Sequence, residues 1–231
     1  MIVTEPMGER IVPSHLGVMW FRIAMTGRSA HAGWAWQGVN AINNSIPVMQ
    51  AFQELDAQLN VDVHPMFAGM HHPINLNIGT ISGGDWPSTV PGACELHCRI
   101  SLYPGTTVAQ MRAKIEETIK RATASDNWLA EHPPVLTWDG FQTEGAVLDP
   151  DAAFLPVLDR AHQEVTGRPL RREPGTAVND MRYYIFEGMA ATCFGASGGN
   201  GHAADEWLDL ASLTPTMKTL AAFVVEWSGV A

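Results

Sequence analysis

The residues of this sequence best suited to metal chemistry are a histidine and two acids in a glycine-rich loop. His202 follows a run of glycines and precedes Asp205 and Glu206. A strand-like run at 190–195 comes before this loop, and an apolar helical run at 208–227 follows it. Loops between strands and helices carry chemistry in α/β folds, and glycines leave the backbone free to aim the imidazole. A single histidine specifies no metal geometry, so an ordinary surface histidine remains the alternative.

A second histidine of interest is His31, in the turn GRSAHAG at residues 27–33. The turn joins a strand predicted at 17–26, rich in aromatic and β-branched residues, to a helix predicted at about 38–59 from its apolar spacing. An imidazole in such a turn is able to donate a hydrogen bond or move a proton. From the residues alone, a turn histidine with no task is the simpler interpretation.

The elements that follow alternate between strand and helix patterns. Thr107 is a suitable N-cap for one of the helices. The predicted elements are strands at 74–82, 93–103 and 133–138 and a helix at 108–124. Residues 17–140 therefore have the order β-α-β-β-α-β, which is typical of the ferredoxin-like split βαβ fold, an α+β unit.

The pattern of predicted secondary structure changes after a turn predicted at 140–145. A helix is predicted at 152–166, with a cap at Asp149-Pro150-Asp151, and a second near 178–187. The strand at 190–195 follows. Alternating strands and helices are typical of a parallel sheet. Residues 143–231 supply only one or two strands, so we expect an incomplete α/β sheet.

Composition excludes several classes of function. The chain has 231 residues, 46% of them hydrophobic and 16% charged, and its formal net charge is −10. No cluster of Lys and Arg offsets this charge locally, so nucleic acid and anionic membranes are disfavoured partners. Residues 1–13 lack the pattern of a signal peptide, and no uncharged run is long enough to cross a bilayer. We expect a soluble, cytoplasmic protein.

Three cysteines argue against a disulfide framework. Cys94 and Cys98 lie four residues apart in a predicted strand, so they share one face. We interpret them as small buried residues, since one C-x-x-x-C pair is weak evidence for zinc.

Five short motifs occur in sequence over almost the whole chain. They are Thr4-Glu5-Pro6, GRSAHAG with GVNAI at 27–33 and 38–42, CELH with YPG at 94–97 and 103–105, NDMR at 179–182, and GH with DE at 201–202 and 205–206. Together and in this order they resemble the M20 family of metal-dependent amidohydrolases, which contains acetylornithine deacetylases, succinyl-diaminopimelate desuccinylases, aminoacylases and related peptidases.

The resemblance implies a catalytic domain with two zinc ions, interrupted by a ferredoxin-like lid that also forms a homodimer. Residues 1–14 and 143–231 match the catalytic domain, and residues 15–142 match the lid. Glu5 matches the carboxylate ligand of one zinc and His202 the imidazole ligand of the other. Carboxylate and neutral imidazole suit zinc in an open, water-bearing site, and cobalt or manganese are alternatives.

The resemblance also implies roles for residues near the substrate, a small N-acyl amino acid or related amide. His31 matches the lid histidine that enters the partner's active site and stabilises the oxyanion. Within the matching NDMR motif we expect Asn179 and Arg182 to contact substrate, because the planar guanidinium of Arg182 suits a carboxylate. A structural salt bridge from Arg182 to Asp180 or Glu187 is an equal alternative.

Part of the family's metal site has no counterpart in this sequence. No His-x-Asp motif occurs, and the sole Glu-Glu pair, Glu116-Glu117, falls in the helix predicted at 108–124. We therefore expect that the N-terminal part of the catalytic domain is missing and that the chain is inactive alone. Two hypotheses follow: the C-terminal portion of a zinc-dependent deacetylase or amidohydrolase, or a non-catalytic dimerisation module derived from one.

A further departure concerns the strand before Tyr103. The family often has Asp-x-Arg there, whereas Arg99 takes the place of the Asp and Ser101 that of the Arg. Residues 99 and 101 share a strand face, so we expect the shifted Arg99 to point the same way and to contact substrate.

Overall fold

The computed structural model describes residues 1–229. The strands are β1 (Ile2–Val3), β2 (Arg10–Ile11), β3 (Ser14–His15), β4 (Gly17–Thr26), β5 (Leu76–Gly83), β6 (Ala93–Leu102), β7 (Val135–Thr143), β8 (Ala146–Val147), β9 (Arg171–Arg172), β10 (Thr192–Cys193), β11 (Gly198–Gly199) and β12 (Trp207–Leu208). The α-helices are α1 (Ala41–Leu59), α2 (Val108–Thr123), α3 (Asn127–Glu131), α4 (Phe154–Thr166), α5 (Met181–Phe186) and α6 (Leu210–Ser228). Two 3₁₀ helices span Ala32–Gln37 and Pro65–Phe67.

The chain forms two compact units. The insert unit comprises Leu16–Gly145, and the flanking unit comprises Met1–His15 together with the chain from Ala146 onward. The sequence predicts domain boundaries at 14/15 and 142/143, and in the structure the chain passes between the units at 15/16 and 145/146.

The insert unit is a four-stranded antiparallel sheet covered by α1 and α2. The strand order is β5-β6-β4-β7, and β4 pairs with β6 over its whole length, from Gly17↔Leu102 to Thr26↔Ala93. Because β4 lies between the two last strands of the unit, each helix connects strands that are not neighbours. This is the split βαβ arrangement, so the predicted ferredoxin-like fold class is confirmed.

Alternation along the strands builds the core of the insert unit. Cys94, Leu96 and Cys98 in β6 point toward the helices and are buried, as predicted for the two cysteines. Phe21 of β4 packs edge-on against Phe52 of α1, with ring centroids 5.8 Å apart. The intervening residues of β4 and β6 lie on the opposite face of the sheet, which no helix of the core covers.

The helix α2 begins as the sequence predicts. The Thr107 hydroxyl accepts a hydrogen bond from the Gln110 N–H (3.1 Å), and the Gln110 side chain accepts one from the Thr107 N–H (2.8 Å). This reciprocal capping box satisfies two of the amide groups that a helix start leaves unpaired.

Three local predictions need correction. The turn expected from residue 140 is wrong at its start, because β7 continues through Gly140 to Thr143. Asp149 does not cap α4: its carboxylate accepts from the Asp151 N–H within a separate turn, and α4 begins at Phe154 without a side-chain cap. The strand expected at 190–195 is reduced to β10, since only two residues pair with β1.

Short strand pairs and two long helices form the flanking unit. β1 pairs with β10 and β2 with β9 in parallel, while β3 pairs with β8 antiparallel. The helices α4 and α6 pack together, with Phe154 edge-on to Phe223 at a centroid distance of 6.5 Å. Leu158 and Phe194 are fully buried in the same core.

No helix within residues 1–229 is both long enough and apolar enough to span a membrane.

Candidate functional site

Glu5 is held in place by the backbone of the flanking unit. It follows β1, whose parallel pairing with β10 fixes the direction of the chain. The Glu5 carbonyl lies so close to Gly195 that a Cβ on Gly195 would sit 1.9 Å from the carbonyl oxygen. The Glu9 N–H then donates to the Gly195 carbonyl (2.8 Å). Glycine at 195 is therefore required for this strand to lie where it does.

His202 lies in the exposed loop of the hairpin β11–β12. Gly199 pairs with Trp207 across the hairpin, and the loop contains the positive φ angles of Asn200 (57°), His202 (63°) and Asp205 (58°). The sequence suggests that the glycines before His202 adopt the left-handed conformation. In the structure His202 itself has a left-handed backbone conformation. Within residues 1–229 no hydrogen bond joins the His202 ring to Asp205 or Glu206.

A cleft brings the neighbours of Glu5 and of His202 together. It has a volume of about 350 Å³ and is lined by Pro6 and by the hairpin residues Gly201, Glu206 and Trp207, among others. Pro6 directly follows Glu5, and Gly201 directly precedes His202. Residues adjacent in sequence to the two predicted metal ligands therefore line one cleft of the flanking unit, whereas Glu5 and His202 themselves are not among its lining residues.

The pKa of a buried thiol near Glu5 is raised by burial and by nearby negative charge. Cys193 of β10 is fully buried, and burial raises the pKa of its thiol to about 12, with the nearby carboxylates of Glu5 and Asp180 adding to the increase. Two acidic side chains therefore act on this thiol, so it stays protonated and unreactive at neutral pH.

Glu5 and His202 have the donor types that zinc prefers, but they supply two donors. A zinc site usually takes three or four protein ligands. Within residues 1–229 no group of three or more His, Cys, Asp or Glu side chains is placed to hold a metal ion. The described residues by themselves do not fit a complete zinc centre.

Asn179 and Arg182 lie at the start of α5 and interact with each other. Both are buried, and the Asn179 side chain accepts a hydrogen bond from the Met181 N–H (3.2 Å). The Arg182 guanidinium donates to the Asn179 carbonyl (2.7 Å), pairs with Asp180 (3.1 Å) and lies 3.9 Å from the ring centroid of Tyr183. The salt bridge to Asp180, one of the alternatives for Arg182, is thus present.

His31 belongs to the insert unit, where it caps the 3₁₀ helix Ala32–Gln37. Its Nδ1 accepts a hydrogen bond from the Gly33 N–H (3.0 Å), and its backbone forms a β-bridge with Thr89. In the neutral ring the proton then resides on Nε2, so the exposed side chain presents an N–H donor. The Trp34 ring lies beside it, with centroids 5.4 Å apart.

Arg99 also belongs to the insert unit, on the face of the sheet opposite the helices. Its Nη1 donates to the hydroxyl of Ser101 (2.9 Å), which places residues 99 and 101 on one face. Sequence reasoning did not consider Trp20 or Asp139, which line the same face. Their positions depend on how β4 pairs with β6 on one side and with β7 on the other, and the alternation within a single strand does not encode that pairing.

Comparison with known proteins identifies the insert unit. Residues 14–127 match the peptidase dimerisation domain of the M20 family. Among curated proteins, the chain is 27% identical over 208 residues to the N-formyl-4-amino-5-aminomethyl-2-methylpyrimidine deformylase of Halalkalibacterium halodurans, covering 85% of this chain and 48% of the relative. It is 30% identical over 123 residues to the acetylornithine deacetylase of Aliivibrio fischeri, covering 53% and 32%. The chain thus spans about half or less of these relatives.

Solved structures share the fold at low sequence identity. A tripeptidase from Staphylococcus aureus superimposes with a TM-score of 0.73 at 14% identity, covering 96% of this chain and 54% of that one. An amidase of the hydantoinase/carbamoylase family from Burkholderia phymatum has a TM-score of 0.68 at 17% identity, covering 99% and 54%. The order of motifs, the split βαβ insert unit and these matches agree, and the chain belongs to the M20 family of peptidases and amidohydrolases.

Proposed function

We propose that this chain is part of an enzyme that hydrolyses the amide bond of small N-acyl compounds, of the deacetylase or deacylase type. The observation that supports the proposal is that Pro6 and Gly201, the sequence neighbours of Glu5 and of His202, both line one cleft. The curated relatives support the reaction class, since one is a deformylase and another a deacetylase. Both names describe removal of an acyl group from an amine.

We propose N-acyl amino acids as the substrate class, with Asn179, Arg182 and Arg99 as substrate contacts. Arginine suits this role because its guanidinium pairs with a carboxylate through two parallel hydrogen bonds. Arg182 already forms an ion pair with Asp180, so its contact with substrate involves exchange or sharing of that partner.

His31 is the proposed catalytic residue of the insert unit. Attack of water on an amide carbonyl places negative charge on the oxygen, and a preorganised N–H donor stabilises that charge. The hydrogen bond from Gly33 to Nδ1 orients the ring and leaves Nε2 as the donor. Because His31 is exposed, it is able to meet a site outside its own unit.

The proposed cofactor is a pair of zinc ions, with Glu5 and His202 each supplying one ligand. Cobalt or manganese would satisfy the same donor types. The proposal needs further ligands beyond these two residues, which agrees with the chain matching about half the length of its relatives.

The experiment measures zinc and turnover together. The chain is mixed with zinc, alone and with a polypeptide containing the part of the Halalkalibacterium halodurans deformylase that it does not match. Hydrolysis of N-formyl-4-amino-5-aminomethyl-2-methylpyrimidine and of N-acetylornithine is followed by amine release. We expect hydrolysis of at least one amide in the mixture and none with the chain alone.

Matched variants separate the proposed ligands from other acids and histidines. Glu5→Gln and His202→Ala should each lower the zinc retained by the mixture, as measured by mass spectrometry, and should lower amine release with it. Glu164→Gln, on the exposed side of α4, and His71→Ala, in an exposed loop, should change neither. Absence of hydrolysis in every mixture, with zinc retention indifferent to Glu5 and His202, would refute the proposal.

The second candidate is a non-catalytic dimerisation module, and the match of residues 14–127 to a peptidase dimerisation domain favours it. Both candidates predict a homodimer through the insert unit. Light scattering should then give twice the 25.1 kDa mass of the chain. A dimer that neither retains zinc nor hydrolyses amides in the mixture would select this second candidate.

A further inference from the structure

Three planar side chains stack at the base of the turn that carries His31. The indole of Trp128, in α3, lies nearly parallel to the imidazole of His132, with ring centroids 3.9 Å apart and an interplanar angle of 12°. The guanidinium of Arg28 lies over the same indole, 5.5 Å from the ring centroid. Arg28 precedes His31 by three residues in the GRSAHAG turn. The stack therefore joins α3 to this turn.

The short helix α3 fixes the position of Trp128. The Asp126 carboxylate caps the helix by accepting a hydrogen bond from the Leu129 N–H (2.9 Å), and Leu129 itself is buried. The Trp128 Nε1 donates to the carbonyl oxygen of Thr26 (3.0 Å), the last residue of β4. The Asn44 side chain of α1 donates to the same carbonyl (3.3 Å). The indole is thus tied to the strand end from which the turn departs.

Arg28 closes the turn at its base with both its backbone and its side chain. Its N–H and its carbonyl exchange two hydrogen bonds with Val39, each of 2.8 Å. Its Nε donates to the Gln37 carbonyl (2.9 Å), so the guanidinium spans the turn. The two sides of the turn meet so closely that a Cβ on Gly27 would sit 2.2 Å from the Val39 carbonyl oxygen. Contact with the Trp128 ring orients the guanidinium that makes this bridge.

A second segment of the insert unit supports the flank of the turn. The Ala32 N–H donates to the Ser88 carbonyl (2.9 Å), and the Val90 N–H donates to the Ala30 carbonyl (2.8 Å). Residues 30 and 32 are the chain neighbours of His31 on either side. The backbone next to His31 is therefore fixed from this flank, while the stack fixes the base of the turn.

We propose that Arg28 and Trp128 are positioning residues for His31: they hold the turn so that the imidazole presents its N–H in one orientation. The inference rests on the proposed catalytic role of His31. A donor acts through its preorganisation, and a displacement of about 1 Å costs about 100-fold in rate. Exposed turns otherwise move on the nanosecond-to-microsecond timescale. Both residues act through His31, and neither needs contact with substrate.

The first test follows the His31 ring by nuclear magnetic resonance in the chain alone, at a pH where the imidazole is neutral. The Gly33 N–H donates to Nδ1, so the two ring nitrogens should show the well-separated shifts of one tautomer, with the proton on Nε2. Arg28→Gln and Trp128→Leu should each bring the two shifts closer together, because a loosened ring exchanges between tautomers. A variant whose shifts stay apart would show that the replaced residue does not position His31.

Further variants separate the contacts. Trp128→Phe keeps a ring beneath the guanidinium but removes the indole N–H, and Arg28→Lys keeps the charge but loses the planar fork. Each should move the His31 shifts less than the larger change at the same position. Arg121→Gln, an exposed arginine of α2, should leave them unchanged. Urea midpoints identify a variant that loosens the whole unit, and Arg28→Gln then decides, since Arg28 is exposed and outside the core.

The second test is a double-mutant cycle on amine release by the chain mixed with its complementary polypeptide. Arg28→Gln and Trp128→Leu should each lower kcat about tenfold or more while His31 is present. In the His31→Ala chain the same changes should lower kcat by less than about twofold, because the group that they position is gone. Equal losses in both backgrounds would show a structural effect that does not pass through His31. If no mixture hydrolyses an amide, the proposed function fails, and the His31 shifts still decide the positioning.

Discussion

Close backbone contact positions the acid at the start of the chain. Glu5 owes its place to Gly195, whose missing Cβ lets the two backbones meet at a distance that no other residue permits. The sequence marks Gly195 as the end of a strand-like run, but its role in holding Glu5 depends on the parallel pairing of β1 with β10.

Gly195→Ala should destabilise the flanking unit by about 2 kcal/mol or more, since the overlap is with backbone and no rotamer relieves it. Gly201→Ala is the matched control, because its Cβ would meet nothing closer than 3.9 Å, and it should change stability by less than about 0.5 kcal/mol. The measurement is urea unfolding followed by circular dichroism. Equal stability of the two variants would contradict the assigned contact.

Buried thiols give the chain a predictable response to alkali. Burial raises the pKa of Cys98 and of Cys193 from 9.0 to about 12 in the folded protein. Above pH 9 the unfolded chain releases these protons while the folded chain keeps them, so their contribution to stability is complete below pH 9 and is lost as the pH rises toward 12.

The melting temperature should therefore fall between about pH 8 and about pH 10.5, and it should fall less in the double variant Cys98→Ala/Cys193→Ala. Calorimetry at the two pH values measures the difference. An identical fall in the variant would show that other groups cause it.

At the scale of elements, two cap signals in the sequence had opposite outcomes. Thr107 forms the predicted capping box because both partners, Thr107 and Gln110, lie within one turn. Asp149 fails as a cap because residues 149–152 form their own turn before α4 begins. The sequence does not predict the short strands β2, β3, β8 and β9, because each pairs over only two residues with a segment far away in the chain.

Thr107→Ala should lower the free energy of unfolding by about 1 kcal/mol, because the Gln110 N–H loses its acceptor at the helix start. Thr106→Ala, one residue earlier, removes a hydroxyl that has no part in the cap and should have a smaller effect. The urea midpoints of the two variants provide the comparison. A Thr106 variant as unstable as the Thr107 variant would exclude capping as the cause.

At the scale of the whole molecule, the chain divides where the insert unit begins and ends. The two ends of the insert unit lie next to each other: a Cβ on Gly17 would sit 2.4 Å from the Thr143 carbonyl oxygen. All four strands of the sheet, α1 and α2 belong to this unit, and so does its core. The flanking unit, in contrast, is assembled from the first 15 residues and the chain after residue 145.

A fragment of residues 16–145 should therefore fold alone and unfold cooperatively in urea, because it contains every partner of its core. A fragment of residues 146–229 should not, since β8, β9 and β10 lose their pairing with β3, β2 and β1. Circular dichroism and urea titration of both fragments provide the test. An unfolded 16–145 fragment would show that its core needs the rest of the chain.

The sequence by itself determined the fold class, because the alternation of β6 and the helical spacing of α1 are local patterns that the core then uses. It also determined the family, because the motifs around Glu5, His31 and His202 keep their order along the chain. Only the tertiary structure decided which of these residues are neighbours. The cleft lined by Pro6 and Gly201 and the sheet face that carries Arg99 and Trp20 are made by strands from distant parts of the chain. Strand pairing and register fix those meetings, and no short stretch of sequence encodes them.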